Sequence, residues 1–151
     1  MTPERTPAHR DARALAERFY AALERRDRET IEALFAPEAT ITIRLSLDGS
    51  PEPLAVFRGR QEAMAYVDSV LANFERIALR GMTYTVSEDA GTVFVEATGD
   101  LVTSGTGRPY RNVYVFRLDV RDGRITAIRE YANPITFAGL GLAAAPAPSA
   151  G

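Results

Sequence analysis

The sequence predicts an α+β domain, a cone-shaped α+β barrel in which three N-terminal helices pack on a curved, mixed, mostly antiparallel sheet. Three observations predict it. The 151 residues are 46% hydrophobic and 25% charged, the size and balance of a single core. The hydrophobic period changes from helical to strand-like along the chain. No repeat and no linker divides it, so helices and strands must share one interior.

The first helix is expected from about His9 to Arg25, where Leu15, Phe19, Ala22 and Leu23 fall on one face. Asp27 then caps a short second helix with Ile31, Leu34 and Phe35 inward, and Pro37 breaks the chain after it. From Thr40 the period becomes two: Ile41, Ile43, Leu45 and Leu47 alternate with Thr40, Thr42, Arg44 and Ser46, a long strand with one apolar face. Asp48-Gly49-Ser50-Pro51 turns it, Leu54 to Phe57 return, and Gly59 precedes a third helix carrying Met64, Val67, Leu71 and Phe74 inward. Long strands follow over about 79–87, 92–103 and 108–120, and a last one over 124–133 after the turn at Asp122-Gly123. Residues 1–8 read as a disordered arm and 143–151 as a low-complexity, disordered tail, which leaves 9–142 as the domain. Helices laid over a curling sheet leave a cone-shaped cavity suited to small apolar ligands.

Composition removes whole classes of chemistry. There is no Cys, one His and no Lys, since all 18 basic residues are Arg. Thiolate nucleophiles, zinc clusters, imidazole bases and Schiff-base or phosphate-loop lysines therefore lack their residues, and neither a metal nor a cofactor is expected. A net charge of −2 with no basic stripe argues against nucleic acid. No apolar run approaches a membrane span and the N-terminus has no apolar leader, so a cytoplasmic location is expected.

Strand parity orients the candidate side chains. Tyr110, Asn112, Tyr114 and Phe116 share one face against Arg111, Val113, Val115 and Arg117, and the arginines make the first set the inward one. On the last strand Thr126, Ile128 and Glu130 oppose Ala127, Arg129 and Tyr131, and parity leaves that choice open. Glu96 alternates against Val93, Val95 and Ala97, which points it outward.

The stretch RFYAALERRDRETIEALFAPEAT, Arg18 to Thr40, resembles the opening of the nuclear transport factor 2-like superfamily, which includes ketosteroid isomerases and SnoaL-like polyketide cyclases. LDGSPEPLAVFRGRQEA, YRNVYVFRLDVRDGRI and REYANP are similar to the PhzA/PhzB phenazine-biosynthesis group, a likeness running from Leu34 to Leu140. The isomerase positions for the general-base aspartate, first-helix tyrosine and protonated aspartate hold Ile43, Phe19 and Tyr114 here. The phenazine-group glutamate and tyrosine are matched by Glu130 and Tyr110, whereas its helical histidine and serine fall on Tyr66 and Val70. The resemblance places Ile128 and Glu130 in the cavity and the opposite face of the sheet in a homodimer contact.

Together these readings imply a small cofactor-free acid/base enzyme of natural-product metabolism, a cyclase, isomerase or dehydratase acting on an apolar carbonyl compound. Glu130 would move the proton, while Tyr114 with Asn112 donates to the developing enolate oxygen. Phe19, Ile41, Ile43, Tyr66, Val70, Tyr110, Phe116 and Ile128 would line the substrate site. Two alternatives stand beside it: an enone isomerase of the ketosteroid type with a displaced base, and a non-catalytic ligand-binding or dimeric partner protein.

Overall fold

Helix α1 (Pro7–Arg25) begins where Thr6 caps it, its hydroxyl accepting the His9 N–H at 3.3 Å, with Pro7 at the first helical position. The structure, a computed structural model, describes residues 6–142. Helix α1 thus takes in Pro7 and Ala8 of the expected arm, while residues 1–5 of that arm and the expected tail lie outside the described residues. Ala12, Leu15, Ala16, Phe19, Tyr20 and Ala22 form the buried face of α1. At its end Arg26 takes the left-handed conformation, and its guanidinium donates to the carbonyls of Leu71 and, at 2.8 Å, Phe74. That contact pins the C-terminus of α1 beside the C-terminus of α3 (Gly59–Asn73). Between them α2 (Arg28–Leu34) starts on Asp27, whose carboxylate accepts the Thr30 N–H at 3.2 Å.

Seven strands form one sheet: β1 (Phe35–Ile43), β2 (Ala55–Arg58), β3 (Phe74–Arg76), β4 (Leu79–Val86), β5 (Thr92–Thr103), β6 (Pro109–Arg121) and β7 (Arg124–Ala132). The order is β2-β1-β7-β6-β5-β3, with β4 also paired to β5. All pairs are antiparallel except β1 with β7, which sets Ile41 beside Ile128 and Ile43 beside Glu130. Register shifts interrupt the ladders between Phe35 and Thr40, Arg80 and Thr83, and Asp119 and Val120. Such irregularities bend strands and raise their twist, which is how the sheet curls around the helices. Alternation along β5 and β6 follows the expected parity: Val93, Val95, Ala97, Tyr110, Asn112, Tyr114 and Phe116 are buried, and Glu96 is exposed.

Several element boundaries depart from the sequence reading, beginning with β1, which opens at Phe35 and takes in Pro37 where the strand was expected from Thr40. The first strand runs from Phe35 to Ile43 and does not extend to Leu47, because Leu54 donates to the Ile43 carbonyl at 2.8 Å and closes the hairpin there. Leu45 and Leu47, expected on the apolar inner face, are consequently exposed. Phe74 leaves α3 and opens β3 against Thr103, although its side chain stays buried as expected. After β7, Asn133 caps a short helix, α4 (Pro134–Ala138), formed by the apolar run beyond the sheet.

Candidate active site

Between α1, α3 and the inner face of the sheet lies a cavity of about 130 Å³. Its walls are mostly apolar side chains and the rings of Phe19, Tyr20, Tyr66, Phe74, Tyr110, Tyr114, Phe116 and Phe137, with the polar Ser69 and Asn73 of α3 among them. Among the described residues no arginine or histidine lines it, and Glu130 is its single carboxylate. No group of three or more His, Asp or Glu side chains among the described residues could hold a metal.

Glu130 comes from β7, where the parallel pairing with β1 turns it inward next to Ile43 and across from Phe116. Its neighbours are aromatic, and loss of hydration raises its pKa from 4.5 to about 7. The Tyr66 hydroxyl on α3 donates to Glu130 Oε2 at 3.4 Å and opposes that rise. Tyr66 is itself steadied by stacking on Phe57, with ring centroids 4.9 Å apart. A carboxyl balanced near neutrality can both accept and return a proton at physiological pH.

A second polar group sits on β6. Asn112 accepts the N–H groups of Val113 and Asn133 at 2.8 and 3.1 Å on Oδ1, and its Nδ2 donates to the Asn133 carbonyl at 3.0 Å. These backbone partners fix which end of the amide is nitrogen. Nδ2 therefore also donates to the Tyr110 hydroxyl oxygen, 2.6 Å away. Tyr114 lines the cavity beside it. Tyr110 thus receives the Asn112 bond on its oxygen and keeps its own proton for an acceptor in the cavity. Burial raises the Tyr110 pKa, while the bond from Asn112 lowers it.

The structure brings Glu130, Tyr114, Tyr110, Phe19, Ile41, Tyr66, Val70, Phe116 and Ile128 to the cavity. It does not bring Asn112 or Ile43 there. Asn112 spends its amide on Tyr110 and on the β6 and Asn133 backbone, which corrects its expected role as a direct donor to an enolate oxygen. Ile43 packs at the edge of the main core, where β1 is ending.

Sequence reasoning missed Tyr20. Its hydroxyl is buried without a hydrogen-bond partner among the described residues, and its ring leans on Phe116 at 4.8 Å. The signal was present, because Ala16, Phe19, Tyr20 and Leu23 follow the i, i+3, i+4, i+7 spacing of one helix face. Phe137, on α4, is a wall residue from beyond the sheet. It lines the cavity while 41% exposed, and it meets Tyr110 edge to face at 6.0 Å.

Comparison with known proteins settles the family. A model of the SnoaL-like domain matches residues 16–128. The chain belongs to the SnoaL-like domain family. It is 27% identical over 118 residues to the uncharacterized protein YesE of Bacillus subtilis, covering 78% of each chain. A Bacillus subtilis crystal structure provisionally called an isomerase superposes with a TM-score of 0.74 at 25% identity, over 87% of this chain and 92% of the other. A phenazine biosynthesis-related protein of Pseudomonas aeruginosa matches with a TM-score of 0.72 at 19% identity, over 91% of this chain and 84% of the other. Further structural neighbours are provisionally called polyketide cyclases. The fold is that of nuclear transport factor 2-like proteins, and this SnoaL-like chain has, among its described residues, no helix long and apolar enough to cross a membrane.

Proposed function

We propose that the protein is a cofactor-free acid/base catalyst of natural-product metabolism that moves a proton next to a carbonyl, as in isomerisation, cyclisation or dehydration. One observation carries this reading: the carboxyl of Glu130, raised to about 7, stands in an apolar cavity beside tyrosine hydroxyls. In the ionised form Glu130 takes a proton from the carbon adjacent to the carbonyl. The protons of Tyr114 and Tyr110 then bond the oxygen on which charge develops, and Asn112 holds Tyr110 in place for it. Glu130 returns the proton to a second carbon in an isomerisation, or to an oxygen leaving group in a dehydration.

The enone-isomerase alternative with a displaced base merges with this mechanism, because Ile43 occupies the expected base position away from the cavity and Glu130 is the only carboxylate lining it among the described residues. A dimer through the outer sheet face belongs to the same proposal. That face exposes Phe94, Val113 and Tyr131, and a groove runs over Glu96, Thr98, Val113, Val115 and Tyr131.

Deuterium exchange tests the chemistry without knowledge of the natural substrate. Cyclohexanone in D2O should acquire deuterium at its α-carbons faster with the protein than with buffer, and Glu130→Gln should lower that excess by about 10²–10⁴-fold. Equal exchange with and without protein, while cyclohexanone binds, would favour the non-catalytic ligand-binding reading.

A further inference from the structure

We propose that Tyr20 anchors the ligand, and that the ligand is an uncharged molecule about one ring in size whose oxygen accepts the Tyr20 proton. The inference rests on the acid/base reading for the carbonyl nature of that oxygen, and on independent geometry for the rest.

Tyr20 is 2% exposed, its hydroxyl lacks a partner among the described residues, and it lines the cavity. Buried hydroxyls in folded proteins are nearly always bonded, and an exception facing a cavity points to a group supplied from outside. Phe19, one residue earlier, cannot substitute, since its ring carries no donor. Tyr20 lies on α1, whereas Tyr110 and Glu130 come from the sheet, so the oxygen that the sheet tyrosines approach from one side takes a further donor from the helix.

Volume and charge narrow the ligand further. At about 130 Å³ the cavity is close to the roughly 150 Å³ that admits a benzene molecule, and well below the roughly 300 Å³ at which drug-sized pockets begin. An anionic ligand would meet Glu130 with no arginine or histidine in the wall, among the described residues, to offset either charge. A neutral ring bearing one oxygen acceptor satisfies size, charge and the Tyr20 proton together.

Calorimetric titration with three ring-sized probes tests this: cyclohexanone, methylenecyclohexane, which has the same shape without the acceptor, and cyclohexanecarboxylate. Wild type should bind cyclohexanone in preference to both others. Tyr20→Phe should weaken cyclohexanone about five- to tenfold and leave methylenecyclohexane unchanged, and its melting temperature without ligand should not fall. A purely structural Tyr20 would instead lower the melting temperature and weaken both neutral probes alike. Unchanged cyclohexanone affinity in Tyr20→Phe overturns the anchor, and tight binding of the carboxylate overturns the uncharged ligand. Failure of catalysis looks different: cyclohexanone binds through Tyr20, yet neither wild type nor Glu130→Gln accelerates its exchange.

Discussion

Two polar residues on adjacent strands, Glu130 on β7 and Asn112 on β6, have opposite consequences. Folding raises the Glu130 carboxyl from 4.5 to about 7, so the native state holds its proton more tightly than the unfolded chain. The associated stability is present below about pH 4.5, is lost as pH rises through about 7, and amounts to something on the order of 3 kcal/mol. Glu130→Gln should therefore be the more stable protein at pH 8, with the difference from wild type shrinking toward pH 5 in urea denaturation. If both proteins respond identically to pH across that range, the carboxyl is not desolvated. Asn112, 5% exposed, behaves in the other sense, because it satisfies two backbone N–H groups, a carbonyl and the Tyr110 oxygen. Asn112→Leu strands those groups and should cost at least about 2 kcal/mol, read as a lower urea midpoint. Sequence parity found the inward face that carries Asn112, whereas it left the face of Glu130 open and the family resemblance placed that residue in the cavity. Parity could not show that the Asn112 amide is fully occupied, since its partners at Asn133 lie 21 positions away.

Most elements were legible in the sequence because their signals are local. The Asp27 cap, the start of α3 at Gly59 and the alternation over β5 and β6 rest on neighbours in the chain. The end of β1 was not legible, because hairpin closure by Leu54 decides it and the apolar pattern runs on through Leu47. The short β3 was hidden likewise, since Phe74 suits a helix face and a strand equally and its pairing with Thr103 is distant in sequence. Element packing also explains Gly99 of β5, where a Cβ would stand 2.5 Å from Tyr114 Cε2. Gly99→Ala should push the Tyr114 ring toward the cavity, destabilise by about 1–3 kcal/mol and weaken cyclohexanone binding. Unchanged stability and affinity would show that the ring gives way at no cost. At the other end of the chain, Thr6→Ala removes the α1 cap and should cost about 0.5–2 kcal/mol, measured by thermal unfolding.

For the whole molecule, the sheet separates two tasks: its inner face and the helices enclose the cavity, and its outer face remains open. Val113 is 65% exposed there, beside Tyr131, Phe94 and the arginines of β6. Glu96 faces Val115 across the β5–β6 ladder, and Arg117 stands opposite Arg129 on β7. A two-fold contact would bring Glu96 of each copy toward arginines of the other while covering the apolar residues. Sedimentation at micromolar concentration should give twice the 16.5 kDa of one chain, and Val113→Glu should shift it toward the monomer. A wild-type monomer would defeat the dimer while leaving the cavity chemistry untouched. That chemistry depends on one carboxyl held near neutrality in an apolar cavity, and a carbon-detected NMR titration of glutamate-labelled protein, with the Glu130 resonance assigned by its loss in Glu130→Gln, measures it directly. The account predicts a midpoint of about 7 for Glu130. A midpoint near the ordinary 4.5 would contradict it.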